Sequence, residues 1–362
     1  MILTSTLGRY FAARFLSAIF GVFVTVFILI FTIDLVELMR RAGEAEGAST
    51  IRLARLAVLR TPNVAEQVLP FAVLFAALAT FLNLSRRLEL VVARAAGVSA
   101  WQFSAPIIAV AAIVGISATT IYNPLATDMK EAANQLESRL FARKGTGGSE
   151  RGLWFRQRSV DGEAIIRAAS LDETTFTLKD VTAFVFEPNG DFMERIEAAE
   201  ARLADTHWVF DNARVLTVGI APEVVDRYLL ATYLSRAELR GAIGQTQAVS
   251  FWSLPEIVRT LDLAGLDATR YRLKYQSLLA RPVLLVAMVL VAASVSLRFL
   301  RSGGFAGMVL SGVAAGFVLY VATRIVEDLG NAGVVSTVMA AWAAPVIGGM
   351  LGVLTLLHRE DG

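Results

Sequence analysis

Phe15–Ile33 reads FLSAIFGVFVTVFILIFTI, 19 residues without a charge. Crossing a hydrocarbon layer takes roughly 20 apolar helical residues, so this run predicts a membrane span. Arg9 and Arg14 precede it, as in a secretory signal, but the apolar stretch is too long and no small-x-small cleavage site follows. A retained helix is expected. Further along, Val68–Leu84 and Ala100–Asn123 repeat the pattern, and Pro282–Leu297, Ser302–Thr323 and Val334–Leu357 supply three more runs. Pro70 and Pro282 fall within these runs or at their edges, where neighbouring helices can satisfy the freed carbonyls. The 362 residues are 55% hydrophobic with a mean hydropathy of +0.57, too apolar for a soluble chain of this size.

Charge divides the chain. Of its 66 charged residues, 42 lie between Asp128 and Arg281, so a water-exposed domain is expected between two sets of three spans. The expected boundaries are 1–127 for the first three spans, 128–275 for the inserted domain with its linkers, and 276–362 for the last three. Short loops on the amino-terminal side hold Arg9, Arg14, Arg86, Arg87, Arg94, Arg298, Arg301 and Arg359. The opposite side holds Arg40, Arg41, Arg52, Arg55, Arg60 and Arg324. Basic residues favour the cytoplasmic face, which places both termini in the cytoplasm and the central domain outside. Basic and acidic residues alternate without a dense basic run, which argues against nucleic acid as a partner.

The central domain has a period of two. Gly152-Leu-Trp-Phe-Arg, Ala164-Ile-Ile-Arg, Val181-Thr-Ala-Phe-Val-Phe, His207-Trp-Val-Phe and Val215-Leu-Thr-Val are short runs rich in β-branched and aromatic residues. Turn signals at Asp161-Gly, Pro188-Asn-Gly-Asp and Asp211-Asn separate them. An antiparallel sandwich or jelly roll follows. Trp154, Ile166, Phe184, Phe186, Trp208 and Phe210 are the expected inward-facing set, which either lines an open apolar groove or fills a closed core. A flexible joint is expected at Gly145–Ser149, and from Ser253 to Tyr275 the pattern turns helical, with Ser253 as the cap. The fold class is therefore α+β: six transmembrane helices with an inserted extracytoplasmic β domain.

No covalent chemistry is visible. Without cysteine, and with only His207 and His358, thiolate, disulfide and histidine-rich metal sites are excluded. His207 beside Trp208 reads as structural. There is no nucleophile elbow and no Gly-x4-Gly-Lys-Ser/Thr phosphate loop, so any ATP-driven work belongs to another polypeptide. Between the second and third spans, Arg86-Arg-Leu-Glu-Leu-Val-Val-Ala-Arg-Ala-Ala-Gly97 reads as a short helix closed by Gly97. It offers Arg86, Arg87 and Glu89 to water and Leu90 and Val91 to a partner's groove. An interfacial helix with solvated charges and a helix coupling to a separate ATPase fit this pattern equally well. Gly303, Gly307, Gly312 and Gly316 recur along the fifth span, and small residues there let backbones approach closely in lipid.

These segments carry a family resemblance. Arg86–Gly97, the run Asp34-Leu-Val-Glu-Leu-Met-Arg-Arg-Ala-Gly, the Gly152-Leu-Trp pattern and the three-plus-three layout resemble the LptF/LptG permeases of the lipopolysaccharide exporter over nearly the whole chain. Thr61-Pro62, Gly152–Trp154 and the order from Pro282 to Gly316 are nearer the LptG branch. The resemblance implies a multi-pass subunit of the bacterial inner membrane that is not itself an enzyme. It implies four partners: a homologous LptF-like permease, an LptB-like ATPase dimer that binds the ATP and Mg, a single-helix LptC-like periplasmic jellyroll protein, and lipopolysaccharide in the surrounding membrane lipid. No cofactor is expected in this chain. The central domain would be a periplasmic jellyroll, and the family places the fifth span against the first span of the partner permease.

By the same resemblance, Arg40 and Arg41 match basic positions that meet the anionic headgroup, with Lys130 and Arg139 as further candidates after the third span. Asp34 departs from the pattern, standing where related sequences often carry a basic residue. Paired arginines suit phosphate through bidentate hydrogen bonds, although basic residues also anchor helices at an interface without any ligand. Two other readings stay open: a permease of another envelope lipid or lipoprotein exporter, and a sensor or scaffold with an external ligand-binding domain. The sensor reading lacks a cytoplasmic output module, since neither the segment between spans two and three nor the residues after Leu357 could fold into one.

Overall fold

A computed structural model describes residues 6–42, 49–141, 153–159, 162–172, 175–187, 191–204, 206–217, 219–233, 249–263, 267–299 and 305–360. The chain forms two compact units, Met1–Leu136 with Ala248–Gly362, and Glu137–Gln247. The first is helical: α1 (Thr6–Ala42), α2 (Thr50–Arg86), α3 (Glu89–Ala95), α4 (Ala100–Ser117), a π-helical turn (Ala118–Tyr122), α5 (Asn123–Phe141), α6 (Leu254–Leu263), α7 (Thr269–Phe299), α8 (Phe305–Asn331) and α9 (Thr337–Glu360). Among the described residues six helices are long and apolar enough to cross a membrane. The helices outrun the apolar stretches that announce them. The second span begins at Thr50 rather than Val68, with Pro62 and Pro70 both inside α2, and the fourth begins at Thr269 with Pro282 inside α7. Polar helix ends that leave the hydrocarbon keep their backbone hydrogen bonds, so hydropathy marks only the middle of each helix. The helical pattern from Ser253 also divides, into α6 and the start of α7. There Asp267 accepts from the Thr269 N–H at 2.9 Å, and its bonds to the Thr269 hydroxyl and N–H hold its carboxyl below the usual carboxylate range.

α1 and α2 run antiparallel, since Tyr10 meets Glu89 just beyond the end of α2 and Asp34 meets Arg60 near its start. The first is the proximal end of the unit and the second the distal end. The core joins Phe11 and Phe15 of α1, Val73, Leu74 and Phe81 of α2, Phe103 and Ile107 of α4, and Leu285, Met288 and Val289 of α7. Close packing against α8 depends on glycine: a Cβ at Gly312 would lie 2.7 Å from Leu78 of α2, and one at Gly316 would meet Leu74 still closer.

Towards the distal end a charged group is buried. Glu66 of α2 is 5% exposed, forms an ion pair with Arg281 of α7, and accepts from Asn123 Nδ2 at 2.8 Å. Asn123 Oδ1 in turn accepts the Phe251 N–H at 2.9 Å. The Tyr122 hydroxyl donates to the Pro62 carbonyl at 2.9 Å. The Thr119 hydroxyl donates to the Leu278 carbonyl at 2.9 Å, and the extra residue of the π turn sets these side chains in register.

The described residues of the second unit form one antiparallel sheet of seven strands: β1 (Leu153–Ser159), β2 (Gly162–Ala168), β3 (Ser170–Asp172), β4 (Thr177–Phe186), β5 (Phe192–Leu203), β6 (His207–Thr217) and β7 (Glu223–Ala231). Its order is β1-β2-β4-β5-β6-β7, with β3 paired to β4. The described strands thus follow a meander, and no long crossover of the kind that closes a jelly roll lies among them. The sheet curls until its outer strands meet through a buried glutamine. Gln157 of β1 accepts from Trp208 Nε1 at 3.0 Å and from the Thr232 hydroxyl at 2.7 Å, and donates to the Ala231 carbonyl at 3.2 Å.

The inner face is filled by residues including Phe155, Ile166, Leu178, Ile196, Trp208 and Phe210. This corrects the single inward-facing set expected from alternation. Ile166, Trp208 and Phe210 are fully buried, but Trp154, Phe184 and Phe186 lie on the opposite face. There Trp154 is 55% exposed and stacks on Phe184, Arg167 and Arg195 flank the two rings, and Phe186 meets Phe192. Trp154 shares its face with Arg156, two residues on, as the period of two requires.

Replacing Arg281 with Met should strand the Glu66 carboxylate, at a cost of about 3–5 kcal/mol. The melting temperature in mild detergent should fall accordingly, and the double replacement Glu66→Leu/Arg281→Met should recover most of the loss. An unchanged melting temperature in the single variant would show that the pair is dispensable.

Candidate functional site

Two regions of the helical unit gather the functional candidates. At the proximal end, α3 is joined to α2 through Leu88, whose φ of 58° lies in the left-handed region, a strained position for a branched side chain. Its far end closes at Gly97, φ 82°, where the Val98 N–H returns to the Ala93 carbonyl at 3.0 Å. α4 then starts from a capping box in which Ser99 and Gln102 satisfy each other's N–H groups. Bounded on both sides, α3 is a separate seven-residue element. Ala93 is buried, whereas Leu88 and Val92 are 61% and 66% exposed and lie one helical turn apart. This pair forms the apolar ridge that a partner's groove would take.

Arg86 and Arg87 are exposed beside the ridge. Glu89 is half-buried and turned back toward α1, accepting from the Tyr10 hydroxyl at 3.2 Å, so it does not project freely with the two arginines as the sequence suggests. The side chains of Leu90 and Val91 lie outside the described residues. Leu88 and Val92 escape notice in the sequence because Leu90 and Val91 are equally apolar and no local pattern says which pair faces outward.

At the distal end Arg40 and Arg41 are exposed and both bond Glu37 of their own helix, at 3.0 and 2.8 Å. One carboxylate shared by two guanidiniums leaves the cluster with a net positive charge. Asp34, the departure from the family pattern, lies 3.6 Å from Arg60 of α2, so a basic group from the neighbouring helix accompanies it. Lys130 of α5 is half-buried among the charged neighbours of Lys274 on α7, which include Arg270, Arg281 and Glu66. Lys274 donates to the Val249 carbonyl at 3.1 Å. The Arg139 side chain lies outside the described residues. Lys274, Arg281 and Glu66 are the candidates that sequence reasoning missed. Each borders an apolar run, where a charge ordinarily reads as a solvated flank.

Gly312 and Gly316 face Leu78 and Leu74 of the same chain, a close approach within the subunit. Gly307 is exposed and Gly303 lies outside the described residues. α1 and α8 are nonetheless the least buried of the six membrane helices. Leu16, Phe20, Ile28 and Leu29 on α1, and Leu310, Phe317, Val318 and Ile325 on α8, present large apolar side chains outward. Among the described residues no cluster of His, Cys, Asp and Glu could hold a metal ion.

Residues 9–358 match the family described as lipopolysaccharide export system permease LptF/LptG. The lipopolysaccharide export system permease protein LptG of Haemophilus influenzae is 24% identical over 346 residues, 94% of each chain. The protein of the same name from Escherichia coli K12 is 24% identical over 305 residues, 82% of each chain.

If Gly312 and Gly316 serve packing within the subunit, Gly312→Leu should overpack the α2–α8 contact at a cost of about 1–3 kcal/mol. The isolated chain should then melt earlier in detergent. Normal melting with loss of a partner subunit would instead place Gly312 at a subunit interface.

Proposed function

The chain belongs to the LptF/LptG family of lipopolysaccharide export permeases, and on that premise we propose that it fills the LptG position in an ATP-driven exporter. It is a multi-pass membrane protein and a transport subunit of lipopolysaccharide export. In the proposed assembly it sits in the bacterial inner membrane with both termini in the cytoplasm and the β unit in the periplasm. It pairs with a homologous permease and two copies of an ATPase that binds the ATP and Mg. The family match across nearly the whole chain carries this reading, and the separation of α3 from its neighbours supports it.

α3 is the proposed contact with the ATPase. The Leu88–Val92 ridge enters a groove on the ATPase surface, with Arg86 and Arg87 at its rim. A helix of seven residues has little stability alone, so its left-handed junction and capped exit suit it to move as one piece between longer helices. The half of the transport cavity contributed by this subunit lies between the sparsely buried helices α1 and α8 and their counterparts in the partner permease. Lipopolysaccharide would be drawn in there from the outer leaflet, with its phosphates on Arg40 and Arg41.

The lipid then passes to periplasmic jellyroll proteins, beginning with one anchored by a single helix. β1 and β7, the outer strands of the described sheet, are the proposed places for strand addition by that neighbour. The filled inner face, with Ile166, Trp208 and Phe210 at its centre, supports a docking role for the β unit more than a conduit.

Copurification in mild detergent should yield one copy of this chain with one homologous permease and two ATPase subunits. Recovery of a stable complex without an ATPase would overturn the exporter reading. Replacing Leu88 and Val92 with Asp should release the ATPase while the two permeases stay paired. Charge reversal of Arg40 and Arg41 to Glu should reduce lipid crosslinking to α1 more at low than at high ionic strength, because salt screens exposed charges. Undiminished crosslinking would leave the two arginines as interface anchors.

A further inference from the structure

Glu89 is the first residue of α3, and its acceptor oxygen is held by a side chain of α1. The Tyr10 hydroxyl donates to Glu89 Oε1 at 3.2 Å. The Tyr10 hydroxyl oxygen in turn accepts from Arg14, at 3.1 Å from Nε and 2.8 Å from Nη2, and the Arg14 guanidinium lies 5.2 Å from the centre of the Tyr10 ring. The hydroxyl has one proton to give and lone pairs to receive, so a cation behind it and a carboxylate ahead of it fix the direction of both bonds. Arg14 and Glu89 thus form a charge-assisted relay through one phenol.

α1 is suited to carry what this relay transmits. It is an uninterrupted helix of 37 residues without proline, about 55 Å long at 1.5 Å per residue. α2, α4, α7 and α9 each contain proline, and α4 leads into the π turn. Among its described residues, those buried near the proximal end are Gly8, Phe11, Phe15 and Ile19, those near the distal end are Leu38 and Ala42, and none lies between. α1 is therefore an uninterrupted element whose buried positions lie near its two ends. Its proximal end touches α3 and its distal end adjoins Arg40 and Arg41.

We propose that Tyr10 and Arg14 are positioning residues that clasp Glu89, so that a displacement of α3 moves α1 and with it the basic pair at the opposite end of the same helix. This rests on the export reading for its driving force, since the displacement originates in a partner ATPase. Without the clasp, α3 would be tied to the bundle mainly by its strained junction at Leu88 and the buried Ala93, and its movement would be absorbed at that junction.

The chain has no cysteine, so cysteines introduced at the exposed positions Ala13 and Ala96 can be spin-labelled without background from this subunit, in a full complex whose other subunits carry no reactive cysteine. With Tyr10 present, the distance distribution should be narrow and should stay narrow when a non-hydrolysable ATP analogue is added. With Tyr10→Phe, which keeps the ring, it should broaden. Lipid moved per ATP hydrolysed should fall by about 2- to 10-fold, the range a net hydrogen bond converts to, with ATPase retention and hydrolysis rate unchanged. Arg14→Gln should shift both readouts in the same direction. A Tyr10→Phe complex with the native distribution and the native lipid-to-ATP ratio would overturn the clasp. A wild-type complex that hydrolyses ATP without moving lipid would overturn the export reading instead, and the label distances would still decide whether Tyr10 holds α3 to α1.

Discussion

A buried carboxylate sets the terms for the helical unit. Glu66 is nearly inaccessible, and an ion removed from water must be met by an opposite charge and by hydrogen bonds or it destabilises the fold. Arg281 supplies the charge and Asn123 a hydrogen bond, while Asn123 also receives the Phe251 N–H. One carboxylate thereby fixes α2, α7, the start of α5 and the segment that follows the inserted domain. The two halves of the helical unit, separated in sequence by the β unit, are joined at this point by a contact that tolerates little displacement. The apolar core around Val73, Leu285 and Met288 adds stability, but interchangeable apolar contacts of that kind set register less strictly.

Helix continuity is distributed unevenly around that anchor. α2 and α7 carry both the ion pair and internal prolines, and they are the most buried of the membrane helices. α1 has no proline and is the least buried. Proline removes a hydrogen-bond donor and permits a bend where neighbours can compensate, so the interior helices conform to the bundle while α1 keeps its own axis. In the proposed exporter, α1 is the element that would transmit displacement and the α2–α7 pair the one that would stay in place.

In the β unit the same economy appears as volume. The interior already holds Phe155, Phe176, Trp208 and Phe210, and an interior packs to a fixed density. The facing positions of β4 are accordingly the smaller Val181, Ala183 and Val185, and Phe184 and Phe186 turn outward. Left-handed residues at Asp180 and Asn212 coincide with the points where the buried positions change parity along β4 and β6. Gln157, polar yet buried, satisfies Trp208, Thr232 and the Ala231 carbonyl together and holds the curl of the sheet.

What the sequence determined by itself was whatever a single segment must satisfy in its own surroundings. Six apolar runs had to be helices because hydrocarbon leaves a backbone no other way to pair its polar groups, and the short alternating runs between Leu153 and Ala231 had to be strands. Arg86–Gly97 was legible as a short helix because Gly97 can adopt its terminal conformation without strain. The tertiary structure decided everything that required two distant segments. Glu66 and Arg281 look like flanking charges until α2 and α7 meet, and Gly312 and Gly316 could serve any neighbour until Leu78 and Leu74 face them. Trp154, Phe184 and Phe186 qualified equally for either face of a sheet until the size of the opposing residues chose. Tyr10 and Glu89, 79 residues apart, have no local pattern connecting them. Their hydrogen bond exists only because α1 and α2 pack antiparallel, a choice made by side-chain packing across the whole bundle.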